Sequence, residues 1–422
     1  MEHTNRTIRP LTQQDLEAYL DIYLNAYPAY KTLDEACREH YREKHRLELR
    51  EDRQVQTVGL FEGDVLIATM KLILFSMNCF GRMQTACGLM ALEVHPLHKK
   101  QGAALEMIRY FEDYARRHGA LLTLLLPFQI SFYRRMGYGF AGKLYEYHLP
   151  TAALPKPDGE ARRHLRLLQP EDFDRVLACH SRFAAQNHGM VEKFEEEVRA
   201  ARTDVQVRRI GYCADDGKLR GYVAYRFESA SDTNYTRNRL SVEELVYDDG
   251  VVLRALLGAL KLQEDLAQTV LLRTGEEDFH HLLEDPQDVS GNYIDYGFLQ
   301  TNVSAIGTMF KLLDPAAFVT ATAYRALPQG TLTAAFCYRD ELAHRDCRTV
   351  LRFDGGRWSA LPEAAPAEVT VTCRQGDLAS LLMASCGLES MVRLGAVAVT
   401  GPWQQLAQLL HYGQKPWLNS DY

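Results

Sequence analysis

No stretch of this 422-residue sequence is long and apolar enough to cross a bilayer. Its longest apolar run, Ala120 to Phe128, falls far short of the roughly 20 residues a membrane helix needs. The opening residues, Met1 to Pro10, are polar and lack the apolar centre of a secretory signal. Basic charge is not in excess either, since 48 Lys and Arg face 55 Asp and Glu for a formal net charge of −7. That balance weighs against a nucleic-acid partner and toward small cationic molecules. Cysteine is scattered, nine residues from Cys37 to Cys386, with no C-x-x-C pair and no histidine cluster at metal-ligand spacing. The expectation is a reducing cytoplasm, no membrane association and no metal.

What the chain does have is apolar mass. At 46% hydrophobic residues it can build more than one core, and its length predicts two or three domains. Two stretches read as breaks: Pro150 to His164, rich in proline, and Asp285 to Gly297, rich in Asp, Gly and Asn. They divide the chain into 1–150, 151–297 and 298–422. The first part alternates strands and helices: a strand at Thr7 to Arg9, a helix from Thr12 to Ala26, paired strands Val55 to Glu62 and Val65 to Phe75, a strand Gly88 to Val94 and a helix from Gly102 to His118.

The second part repeats the opening of the first. Ile8-Arg9-Pro10-Leu11 leading to Asp15-Leu16 is echoed by Leu165-Arg166-Leu167-Leu168 leading to Asp172-Phe173. A strand over Leu219 to Phe227, another over Leu240 to Tyr247 and a helix from Val251 to Leu266 continue the echo, so a duplicated unit is expected. The third part is β-rich, with strands expected at Val303 to Leu312, Thr331 to Tyr338, Arg348 to Phe353 and Glu368 to Cys373, then helices from Gly376 and Pro402 around a strand at Ala396 to Thr400. It reads as an α+β unit.

Chemistry concentrates in Leu92-Glu93-Val94-His95-Pro96-Leu97-His98-Lys99-Lys100-Gln101-Gly102-Ala103-Ala104, a strand running through a basic, small-residue turn into a helix. Lys99 and Lys100 bring positive charge, Gly102 and Ala104 allow close backbone approach, and the first N–H groups of the helix point outward, which suits a diphosphate. Downstream, the apolar strand Ala120 to Leu126 leads to Ser131-Phe132-Tyr133-Arg134-Arg135-Met136-Gly137-Tyr138. The corresponding turn of the second part, Val246-Tyr247-Asp248-Asp249-Gly250-Val251-Val252, has no basic cluster and reads as a degenerate copy without cofactor.

The two segments together resemble the GNAT acetyltransferase superfamily. Lys99 to Ala104 matches its R/Q-x-x-G-x-G/A motif, with Lys99 in place of the usual Arg or Gln, and Phe132 to Tyr138 matches F-Y-x-x-x-G-F/Y. The resemblance implies tandem GNAT folds, a mixed central sheet flanked by helices in each, and an acyltransferase that takes acetyl-CoA. Leu92, Glu93 and Val94 would pair with the pantetheine as an added strand. Lys99, Lys100, Gln101, Gly102, Ala103, Ala104 and Leu105 would hold the phosphates, and Phe128 and Gln129 would also bind the cofactor. No cysteine sits in the motif to carry a covalent acetyl group, so a ternary complex is expected.

With an α+β third part, over Phe353-Asp354-Gly355, Trp358, Val369 to Cys373 and Gly395 to Gly401, the whole chain resembles the Eis (enhanced intracellular survival) family, whose third unit is sterol-carrier-like. That resemblance implies multi-amine acceptors such as aminoglycosides, a homo-oligomer, a hexamer, and a catalytic pair of Tyr133 as acid and the terminal carboxylate of Tyr422 as base. Two other readings keep the same residues: Tyr133 packs beside Phe132, and the base is Glu93 or His95 on the strand. A peptide or protein lysine is the rival acceptor. An apolar-ligand binder with a vestigial transferase unit is the rival class.

Overall fold

The computed structural model describes residues 5–26, 31–51, 54–156 and 158–417. The chain opens with β1 (Arg6–Pro10) and α1 (Leu16–Ala26), the latter entered through a turn that Thr12 and Asp15 close as a capping box. Arg9 grips Asp15 from outside at 2.8 Å, and that hydrogen bond pulls the Asp15 carboxyl down to about 2. Then follow α2 (Glu35–Glu51), β2 (Val55–Glu62), β3 (Val65–Cys79), β4 (Arg82–Val94), α3 (Ala103–Arg117), β5 (Leu122–Leu125), the short α4 (Ile130–Arg134) and β6 (Gly139–Phe140). β1 to β4 pair antiparallel, and α3 crosses over to bring β5 parallel to β4.

A strand from far downstream, Met309–Leu312, lies between β5 and β6 and completes a seven-stranded sheet. A second seven-stranded sheet runs Val303–Ile306, Lys143–Pro150, Thr269–Thr274, Asn238–Tyr247, Leu219–Ser229, Arg208–Cys213 and Leu165–Leu167. It repeats the first: three antiparallel neighbours, then a parallel pair across the helix Gly250–Lys261. The third sheet has five strands: Arg357–Leu361, Arg345–Asp354, Thr331–Asp340, Val369–Thr372 and Ala398–Thr400. It shares one core with the first sheet, since Phe75 and Phe310 belong to the same buried cluster as Leu378 and Leu409.

Two sequence expectations change here. The break placed at 150 falls inside the second unit, because the chain leaves the first sheet at Phe140 and Lys143–Pro150 pairs with Thr269–Thr274. The single strand expected over Val303 to Leu312 in the third unit is two strands, divided at Gly307, one in the second sheet and one in the first. The physical reason is that Met309 to Leu312 is a fully buried run of four, which carries no alternation to say which sheet it joins. β6 is only two residues long and leaves β5 uncovered without it. Lys311 is tolerated in that buried strand because its ammonium meets Glu112 at 2.8 Å and the Met136 carbonyl at 2.9 Å. Glu196, in the first turn of the helix Glu195–Thr203, turns inward to within 3.6 Å of the buried Lys71 ammonium.

Candidate active site

β4 holds the key irregularity. Thr69 pairs with Glu93 but Lys71 with Met90, so β4 carries one residue more than β3 between those pairs, and Ala91 sits at a left-handed φ of 52°. This is a β-bulge, which bends a strand and ends its pairing on one side. β4 and β5 accordingly pair only from Ala86 with Leu122 to Leu89 with Leu125. Beyond them no described strand pairs with the β5-facing edge of β4, whose polar backbone groups from Met90 to Val94 face a cleft.

At the end of β4 the turn tightens through Lys100 at φ 63° and Gly102 at φ 87°, and α3 starts at Ala103 with no side chain capping it. The first N–H groups of this 15-residue helix have no partner within it, and the helix dipole adds positive potential there. A carboxylate or phosphate is what such an end binds. Arg6 braces the turn from below: its guanidinium, largely buried, donates to Glu62 at 2.9 Å, Glu106 at 2.7 Å and the Gln101 carbonyl at 3.1 Å.

The turn and the strand edge open on one cavity of about 460 Å³. Leu92, Glu93, Val94, Lys99, Lys100, Gly102, Ala103, Ala104 and Leu105 line one side, and Phe128, Gln129 and Tyr133 line the other, joined by Ala26, His98 and Phe132. Of the residues picked from the turn, Gln101 is not part of the lining. Its side-chain amide donates to the Leu97 carbonyl at 3.3 Å and its carbonyl receives Arg6, so it shapes the turn. His95 accepts from the Leu97 N–H through Nδ1 and caps the short turn that follows. Tyr422 lies outside the described residues.

Tyr133 projects from α4 as a buried side chain, edge-on to Phe132 at 5.1 Å and to Tyr138 at 6.0 Å. Burial pushes its phenol up to about 12, so it is a proton donor at neutral pH. Glu93 is also buried, and burial pushes its carboxyl up to about 8 against the opposing charges of Lys31 and Lys71. One of its oxygens accepts from the Thr69 hydroxyl at 3.2 Å; the other has no hydrogen-bond partner among the described residues. Behind it a buried polar cluster links Lys71 to Glu48 at 2.8 Å and Glu48 to His45 at 2.8 Å, while Lys31 lies over the ring of Tyr23 at 3.1 Å. Burial pushes Glu48 up, but the His45 hydrogen bond and the Lys71 charge bring it down to about 2.

Sequence reasoning missed Arg6 and this cluster, because their partners are remote along the chain, Glu106 for Arg6 and Glu196 for Lys71. The one local hint for the cluster was an odd one, Lys71 within an otherwise apolar strand. Among the described residues no group of three or more His, Cys, Asp or Glu is placed to hold a metal ion. Among them, too, no helix is long and apolar enough to cross a membrane.

The second sheet carries the same strand–turn–helix, with a different outcome. Asp249 caps the helix Gly250–Lys261 by accepting from the N–H groups of Val251 at 2.9 Å and Val252 at 3.0 Å. A carboxylate of the chain itself thus takes the position that the first domain leaves open.

Residues 7–141 match the model of an acetyltransferase (GNAT) domain, and residues 189–299 match a second acetyltransferase (GNAT) model. The chain carries two GNAT domains in tandem. As a tandem GNAT protein it is an acyltransferase, and acetyl-CoA is the substrate that GNAT domains use. Solved structures of this shape include a GCN5-related N-acetyltransferase from Anabaena variabilis, 14% identical, covering 98% of each chain with a TM-score of 0.78. Another, from Kribbella flavida, is 19% identical over 97% of each chain with a TM-score of 0.72. Eis1 from Mycobacterium abscessus is 20% identical, covering 99% of this chain and 100% of its own, with a TM-score of 0.74. At these identities the likeness is one of fold, across all three sheets. No curated protein matches the tandem GNAT sequence.

The bracing role of Arg6 is open to direct test. Arg6→Ala removes two ion pairs and the support of the Gln101 carbonyl, and is expected to raise the KM for acetyl-CoA about fivefold and lower Tm by about 3–5 °C. Initial rates and a thermal melt of the same preparation would check it; an unchanged KM would mean the turn holds its shape unaided.

Proposed function

We propose that this chain is an acetyl-CoA-dependent N-acetyltransferase acting on amines, with the first domain catalytic and the second degenerate. The observation that carries the reading is the contrast between the two helix starts: open and flanked by Lys99 and Lys100 in the first domain, filled by Asp249 in the second. The residues around the first cavity fit the cofactor. Helix-start N–H groups and two ammonium groups suit the diphosphate, and the unpaired β4 edge suits the amides of pantetheine.

In the proposed reaction the neutral amine nitrogen attacks the thioester carbonyl carbon, a new C–N bond forms, and the C–S bond breaks. Tyr133 gives its phenolic proton to the departing sulfur, and a base takes the proton that the nitrogen loses. Our first assignment of that base is the terminal carboxylate of Tyr422, by resemblance to the Eis family. The acceptors suggested by the same likeness are multi-amine compounds such as aminoglycosides, in keeping with a net charge of −7. A homo-hexamer in the cytoplasm completes the picture drawn from that family.

A second base is favoured by a specific observation. Glu93 lines the cavity, is buried, and has one carboxylate oxygen without a partner among the described residues. Its raised pKa also sets a stability signature. Between the ordinary carboxylate range and about pH 8 the folded protein keeps a proton on Glu93 that the unfolded chain has lost, so this group's contribution falls as pH rises. Glu93→Gln is expected to become stabilising relative to the parent as pH is taken from about 5 to about 9, measured as the difference in Tm. If Glu93 is the base, the same variant also abolishes the rise of kcat/KM centred near pH 8.

The deciding experiment is the initial rate of thiol release from acetyl-CoA across aminoglycosides, simple polyamines and lysine peptides. A variant extended by one glycine after Tyr422 is run alongside. Amine-dependent turnover that collapses in the extended variant supports the terminal base. Turnover that survives the extension and is lost in Glu93→Gln assigns the base to Glu93. Preference for peptides over free amines would replace the small-molecule acceptor, and thiol release independent of amine would overturn the transferase reading.

A further inference from the structure

The cleft of the second domain is filled by the chain itself. In the first domain Leu89 and Leu125 are the last paired residues of β4 and β5, and the cavity is lined further along by Val94 and Phe128. In the second domain the last pair is Val242 with Leu272. Counting on from those pairs, Tyr247 stands where Val94 does and Gly275 where Phe128 does. Trp417 lies against both, its ring 6.5 Å from that of Tyr247, and a Cβ added to Gly275 would come within 3.3 Å of the indole. Phe183 closes the far side at 5.6 Å.

Two further glycines shape the path of the segment. A Cβ on Gly189 would meet Pro416 at 2.7 Å, and one on Gly142 would collide with the Pro416 carbonyl oxygen. Gly189 has a left-handed φ of its own, but Gly142 and Gly275 do not, so their backbones would accept any residue. What excludes a side chain there is the passing segment. Polar contacts fasten it: the Trp417 N–H donates to the His188 carbonyl at 2.6 Å, the His188 N–H donates to Gln414 at 3.0 Å, Gln414 donates to Asn187 at 3.1 Å, and Lys415 pairs with Glu277.

We propose that the degenerate GNAT cleft is a receptor for the chain's own segment Gly413 to Trp417, and that by fixing Trp417 it aims the residues that follow. An ordinary packing tryptophan would not need its segment threaded past glycines from three separate parts of the sequence. Fixing one residue of a chain restricts the space open to its neighbours before any substrate arrives. For the reaction this rests on the proposed terminal base, and Trp417 is then a positioning residue.

The test uses the full chain with Gly142→Ala, Trp417→Ala and Trp417→Phe, reading both the rate at which a carboxypeptidase releases the last residue and the steady-state kinetics. Gly142→Ala and Trp417→Ala are expected to speed release about tenfold, with Trp417→Phe close to the parent, because release samples local opening. A thermal melt identifies any variant that has lost its fold; Gly275→Ala, which crowds the indole and is also expected to speed release, then carries the comparison, and a parental rate there overturns the receptor. Release at the parental rate in Gly142→Ala and Trp417→Ala overturns the receptor. Faster release together with a kcat lowered about tenfold at unchanged acetyl-CoA KM supports both receptor and terminal base. Faster release with unchanged kcat keeps the receptor and rejects the terminal base.

Discussion

Replacing Tyr133 by phenylalanine is expected to lower kcat by about a hundredfold or more, with the KM for acetyl-CoA within about twofold of the parent. The expectation follows from what the substitution keeps. The ring still meets Phe132 and Tyr138, so the buried contacts and the cavity wall survive. Only the hydroxyl goes, and with it the one proton donor proposed for the departing sulfur. An alkyl thiolate leaving into a cavity partly sealed from water is poorly stabilised, so the loss falls on the chemical step. Thiol release at saturating acetyl-CoA, with a thermal melt of each protein, separates the cases. A fall in kcat at constant Tm supports acid catalysis; an unchanged kcat makes Tyr133 a packing residue.

The second large effect is expected at Gly102. Gly102→Asp places a carboxylate at the start of the first domain's helix, the position Asp249 holds in the second, although on a left-handed rather than an extended backbone. The residue sits at φ 87°, where aspartate is tolerated at a cost of about 1–2 kcal/mol, and a Cβ there meets nothing within 4 Å. The protein should therefore fold. A negative charge, however, would stand beside the helix-start N–H groups, at the place proposed for the diphosphate. Acetyl-CoA affinity is expected to fall about a hundredfold, equivalent to about 2.7 kcal/mol, chiefly through charge repulsion. Calorimetry with CoA itself measures this without turnover. Binding at the parental level would mean that the diphosphate does not use the start of α3. The matching change in the second domain, Asp249→Gly, opens that helix start but leaves Trp417 in the cleft beside it.

The parts of this molecule that could be read from sequence are those whose physics is local. The turn from Lys99 to Ala104 was legible because charge, small residues and a helix start are all contiguous there, and the structure brings every residue named in it except Gln101 to one cavity. The duplication was legible because both copies open on the same strand-to-helix sequence, and two matching GNAT domains follow from it. Tyr133 was found by its motif, but its burial and raised pKa are properties of the packed α4.

What sequence could not fix depends on partners far apart along the chain. Met309 to Leu312 entered the first sheet because a fully buried strand is matched by the edge available to it and not by any periodicity of its own, and Lys143 to Pro150 joined the second sheet through its pairing with Thr269–Thr274. Arg6 braces the active-site turn only because β1 lies beside it in space. The raised pKa of Glu93 comes from burial that no reading of the β4 sequence reveals. Sequence alone therefore determined the class of chemistry, through contiguous groups that can meet an anion. Tertiary structure decided which carboxylates lose water, which sheet each strand joins, and where the segment ending at Trp417 is held, since each is set by desolvation and close packing between residues remote in the chain.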